Sequence, residues 1–150
     1  MDISFQKKIV DAFIQRTGNT YNSLYFYGAH QHTKAVVDYI IKFYRTHHPE
    51  ANIFRLDAEE FRSETLRKVM AGEYYTIPAY DLFVLENIDA VAGLEANEQR
   101  LYGILDWLLE NNRLIVITGT TPTAAIANLA PRIKAQIDGG IACAVAECDA

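Results

Sequence analysis

Gly28 and Lys34 stand with five residues between them, in the run Gly28-Ala29-His30-Gln31-His32-Thr33-Lys34-Ala35. This spacing belongs to the phosphate-cradling pattern G-x-x-x-x-G-K-[ST]. There, glycines let backbone N–H groups approach an anion, the lysine reaches the outer phosphates and the last hydroxyl holds Mg²⁺. Here Thr33 stands at the second glycine and Ala35 at the hydroxyl. Threonine is β-branched and stiff, and resists such a loop. Alanine offers no oxygen to a metal. Lys34 and the N–H groups of a helix start can still attract an anion. The same run also reads as an ordinary strand–helix connection.

A second candidate closes an apolar run, Leu82-Phe83-Val84-Leu85-Glu86-Asn87. Two acids after such a strand can hold Mg²⁺ and orient water. Glu86 could reach a metal, but Asn87 cannot act as a general base. A plain polar cap is the competing reading. A third candidate is Thr118-Gly119-Thr120-Thr121-Pro122, where a polar residue could face a phosphate or simply shape a turn. The nucleotide-site candidates are therefore Gly28, His32, Thr33, Lys34, Ala35, Glu86 and Asn87. No catalytic residue and no metal ligand is assigned, because His30 and His32 share one loop while His47 and His48 end the next helix. Tyr74, Tyr75 and Tyr80 could stack bases but read more simply as loop aromatics. Arg62, Arg67 and Lys68 are diluted by Glu59, Glu60 and Glu64, and read as a solvated face.

The elements that must position these residues alternate. Helical spacing covers residues 3–16, 34–47, 58–71 and 97–111, with a short helix over 123–129. Strands are read over 24–27, 53–56, 82–85, 114–117 and 141–146. Gly18 is placed to end the first helix, Pro49 marks the end of the second and Asp57 is placed to cap the third. Trp107 falls among core positions of its helix, and Cys143 reads as a small buried apolar residue. Runs apolar at every position, such as Leu114-Ile115-Val116-Ile117, belong to strands buried on both faces. Together these predict one three-layer α/β domain over 1–150 with a parallel sheet. Its ligands would sit beyond the carboxyl ends of the strands.

The 150 residues suit one domain, and 50% apolar with 22% charged residues are globular proportions. Fourteen Lys and Arg against nineteen Asp and Glu give a net charge of −5, which argues against a domain built mainly to bind nucleic-acid phosphates. No run approaches the roughly 20 apolar residues of a membrane span, and residues 1–8 have no apolar signal core. Cys143 and Cys148 lie five apart and could close only a tiny loop, which favours reduced thiols and a cytoplasmic location.

Taken in order, these segments resemble the AAA+ core of the bacterial replication initiator DnaA and its relative Hda, a P-loop NTPase fold. Asn22-Ser23-Leu24-Tyr25-Phe26-Tyr27-Gly28 is similar to the family's N-P-L-[FY]-[IL]-Y-G entry to Walker A, and residues 81–88 to its Walker B segment D-x-L-L-I-D-D-I. Residues 98–118, including Leu109-Glu110-Asn111, are similar to its sensor-1 helix and strand. Arg132-Ile133-Lys134-Ala135-Gln136-Ile137 is similar to its R-L-x-S-R-F box. The resemblance implies a five-stranded parallel sheet in the order 5-1-4-3-2, with no lid domain within these residues. It also implies departures at the chemistry: Thr33, Ala35, Glu86, Asn87, Gly119 where the family has aspartate, and Gln136 where it has an arginine finger. The implied reading is a degenerate, non-hydrolysing module linked to replication initiation or its regulation. Its partner would be a protein, an initiator or another AAA+ replication protein. It would need no cofactor, hold ATP or ADP weakly at most, and bind DNA weakly or not at all. The alternatives are a working ATP-binding ATPase and a single-stranded DNA-binding accessory domain.

Overall fold

A computed structural model describes residues 6–8, 10–11, 23–72 and 80–145. Five strands, β1 (Ser23–Gly28), β2 (Ile53–Asp57), β3 (Leu82–Glu86), β4 (Leu114–Gly119) and β5 (Ile141–Val145), form one sheet in the order β2-β3-β4-β1-β5. All pairings are parallel, and this is the order that the resemblance implies. Between the strands run α1 (His30–His47), α2 (Ala58–Ala71), α3 (Glu95–Glu110) and α4 (Pro131–Asp138).

Strand alternation splits the core into two. Leu24, Phe26, Leu82, Val84 and Val116 face α1, where Val36, Val37 and Ile40 meet them. Tyr25, Phe83, Leu85, Ile115 and Ile117 face the opposite way, onto Phe61 of α2, Leu101, Ile104 and Leu105 of α3 and Ile133 of α4. Residues 6–8 and 10–11 are helical, and Val10 joins the α1 side. The rest of the expected first helix, its cap at Gly18, Asn22, Tyr74, Tyr75 and Cys148 lie outside the described residues. Tyr80 packs against Phe54 and Phe83, a partly buried aromatic as expected. Trp107 packs against the core as a partly buried ring, and Cys143 is buried on β5.

Asp57 caps α2 as expected. It accepts from the Glu59 N–H, while Glu60 reaches back to the Asp57 N–H, and Gly72 ends the helix in the left-handed conformation. Two polar residues of α3 are buried. Glu98 accepts from the Gly93 and Ala130 N–H groups. Arg100 holds Thr65 and Glu64 of α2 and lies over the Phe61 ring.

Two boundaries differ from expectation in ways that matter. The segment 123–129 is one 3-10 turn, Thr123–Ala125, rather than a short helix. Pro122 starts it, and Ile126 turns extended so that it and Leu129 both enter the core. The second helix starts at His30, four residues before Lys34.

Candidate functional site

The carboxyl edge of the sheet gathers the ends of β1, β3 and β4, and the nucleotide-site candidates end or follow these strands in the chain. The connection after β1 is only Ala29 long before α1 begins. The Ala29 carbonyl accepts from the N–H groups of His32 and Thr33, and the Thr33 hydroxyl donates to the His30 carbonyl. Thr33 is fully buried against the core. No residue from 29 to 34 has a positive φ, so the run that could cradle phosphate is the first turn of a helix. The physical cause is the composition noted above. No glycine follows Gly28 in this run, and a stiff, buried threonine anchors the turn.

Gly28 itself has φ +150, and a Cβ there would collide with the Val145 carbonyl oxygen of β5. Close strand approach accounts for this glycine without any phosphate. Ala35 and His32 are half-buried on α1. Lys34 is exposed and reaches one turn forward, away from the loop, to Asp38 Oδ2 at 3.1 Å.

Asp38 opens a chain of charges. Its other oxygen meets the Arg55 guanidinium at 2.9 Å, and Arg55 Nε donates to Glu86 Oε1 at 2.7 Å. A second Arg55 nitrogen lies 3.4 Å from Glu86 Oε2. Burial acts to raise the Asp38 pKa, but the hydrogen bonds and charges of Lys34 and Arg55 outweigh it and hold it below the usual carboxylate value. Hydrogen bonding to Glu86 raises Arg55 above its ordinary value. Glu86, the candidate metal ligand, is thus buried and gripped by a protein cation. Neither Arg55 nor Asp38 was singled out from sequence.

Asn87 takes a left-handed conformation at φ 62, which asparagine tolerates. Its side-chain nitrogen donates to Asp57 Oδ2 at 2.7 Å and its N–H to the Thr118 hydroxyl at 3.0 Å. His30 Nδ1 lies 3.2 Å from Asn87 Oδ1. Asn87 therefore ties together the ends of β2, β4 and α1.

Beyond β4, Thr120 donates its N–H and hydroxyl to Asp89, and the Tyr25 hydroxyl donates to the Thr121 carbonyl at 2.6 Å. A Cβ on Gly119 would overlap the Tyr25 hydroxyl. Burial, with Asp89 nearby, pushes the Tyr25 phenol well above its ordinary pKa. The Tyr25 phenol from β1 thus fills the space that a side chain at position 119 would enter. On the far side of the domain, Gln136 donates to the Tyr102 carbonyl at 3.1 Å, and the Arg132 guanidinium stacks over the Tyr102 ring at 4.5 Å.

Among the described residues no three His, Cys, Asp or Glu side chains converge to hold a metal, and no helix is long and apolar enough to cross a membrane. The polar side chains at this edge are engaged with one another. Position 35 lacks a hydroxyl, Glu86 is engaged by Arg55, Asn87 is engaged by Asp57, and Lys34 points toward Asp38.

A family model described as the bacterial DnaA ATPase domain matches residues 4–144. A chromosomal replication initiator protein DnaA from Symbiobacterium thermophilum is 26% identical over 137 residues, covering 88% of this chain and 30% of that protein. The chain thus spans less than a third of the length of the curated relatives it matches, 21–30%. Domain III of the Thermotoga maritima replication initiation protein DnaA superposes with a TM-score of 0.86 at 14% identity, over 98% of this chain and 63% of that one. The DnaC helicase loader superposes at 0.77 and 12% identity, over 97% and 92%. These likenesses identify the fold as an AAA+ α/β core.

Proposed function

The chain belongs to the bacterial DnaA ATPase-domain family, and from that premise we propose that it is a non-hydrolysing AAA+ module acting by protein contact in replication initiation or its control. The observation that carries this reading is the ion-pair chain Lys34–Asp38–Arg55–Glu86. Phosphoryl transfer to water needs a bound metal, an oriented nucleophile and a cation on the developing charge. In this chain the acid that could hold the metal, and the lysine that could hold phosphate, satisfy each other through Arg55 and Asp38.

The partner is an initiator or another AAA+ replication protein that meets the α4 face. There Arg132 is exposed with its guanidinium over the Tyr102 ring, Lys134 is half-buried, and Gln136 is tied to the Tyr102 carbonyl. An arginine finger contributes roughly 10³–10⁵ in rate. A domain with glutamine at that position docks beside a competent subunit without completing its active site.

Calorimetric titration with ATP and ADP in Mg²⁺, together with turnover assays, tests the reading. We expect no saturable binding in the micromolar range and no turnover above background. Micromolar affinity, or turnover lost in Lys34→Ala, would overturn it. The partner arm uses the initiator from the same cell. Pull-down should retain it, its ATPase rate should fall or stay unchanged on adding the domain, and Gln136→Arg should raise that rate.

A further inference from the structure

Strand β2 is the last strand of its side of the sheet. Among the described residues it pairs with β3 on one edge and with no strand on the other. The Asn52 carbonyl accepts from the Asp81 and Leu82 N–H groups on the β3 side. In a parallel ladder the backbone groups alternate in direction, so those of Ile53 and Arg55 point outward. An edge that no strand pairs among the described residues is a template for another chain.

Beside that edge, between β2 and the outer face of α1, lies an open cleft of about 450 Å³. It is lined by Ile41, Lys42, Arg45 and Thr46 of α1 and by the Asp38–Arg55 pair. Asp38 and Arg55 neutralise each other. Lys42 and Arg45 are exposed and have no ion-pair partner among the described residues. Two unpaired cations line one cleft in a chain whose net charge is −5.

We infer that the β2 edge and this cleft form a docking site for an extended acidic peptide of a partner protein. The peptide backbone adds to β2 as a further strand. Its side chains alternate, so every second one faces α1. Lys42 and Arg45 are one helical turn apart, roughly 5 Å along the axis. Alternate carboxylates on a strand are spaced by roughly 7 Å, a distance that long side chains bridge. A single-stranded nucleic acid would supply charge but no peptide backbone to complete the edge. The site lies apart from the α4 face and shares Asp38 and Arg55 with the ion-pair chain of the candidate nucleotide site.

The probe is a fluorescein-labelled peptide of four Glu-Val repeats, followed by anisotropy and by NMR-detected amide exchange. Saturable binding is expected, with new protection at the Ile53 and Arg55 N–H groups. The double variant Lys42→Glu, Arg45→Glu should lose roughly tenfold in affinity while its thermal unfolding midpoint stays near that of the parent. Absence of saturation, equal affinity for a Lys-Val peptide, or undiminished binding by the double variant would overturn the inference. An oligothymidylate of equal charge that binds as tightly, with no protection on β2, would also overturn it and assign the cleft to nucleic-acid phosphates.

Discussion

Arg55 Nε donates to Glu86 Oε1 at 2.7 Å, placing a β2 guanidinium beside the acid that ends the neighbouring strand. Glu86 is buried, so removing its partner leaves a charge without compensation. Arg55→Ala should destabilise the domain by about 1–3 kcal/mol, read from urea unfolding. Adding Glu86→Gln should cost less than the two single changes summed, because the orphaned charge is gone. Strict additivity would mean the pair is energetically idle.

Asp38 titrates below its ordinary value because Lys34 and Arg55 stabilise its charged form. A carboxyl depressed by folding contributes stability above its unfolded pKa, and that contribution is lost as pH falls through the folded one. Stability should therefore decline below about pH 4, the ordinary carboxylate range. Asp38→Asn should flatten that decline. An unchanged acid limb in the variant would contradict the assignment.

Gly119 has no room for a side chain because the Tyr25 hydroxyl stands there. Gly119→Ala should cost about 1–3 kcal/mol through overpacking. Tyr25→Phe alone should lose about 1 kcal/mol with its bond to the Thr121 carbonyl. Combined, the two should recover part of the loss, since the overlapping oxygen is removed. A double-mutant cycle in thermal or urea unfolding reads this directly.

Asp57 accepts from the Glu59 N–H and from the Asn87 side chain. Asp57→Ala should cost about 1–2 kcal/mol from the lost cap. It should also shift the NMR resonances of the Asn87 side-chain amide and of His30, which contact each other. A change confined to α2 would show that the Asn87 link carries nothing.

Strands β3 and β4 were legible because burial on both faces demands apolar residues, as in Leu82–Leu85 and Ile115–Ile117. The Asp57 cap was legible because Glu60 completes a local pattern. The start of α1 was not. Ala29 gives no capping side chain, so nothing in the letters marks His30 as the first helical residue. Arg55 carried a signal that went unused: one charge in the middle of Ile53-Phe54-Arg55-Leu56 has to find a carboxylate. Which carboxylate it finds depends on strand order, since Glu86 is distant in sequence and adjacent in the sheet. The Tyr25–Gly119 relationship is likewise a product of the β1–β4 pairing, and no local spacing announces it.

That last relationship makes a side chain at position 119 hard to introduce by single steps. A mutation adding a side chain at Gly119 meets the phenol of Tyr25, and one removing the phenol first forfeits its bond to the Thr121 carbonyl. Each single-step path to a side chain at this position crosses a less stable intermediate. Descendants should vary freely at exposed positions of this edge while Tyr25 and Gly119 change together or not at all.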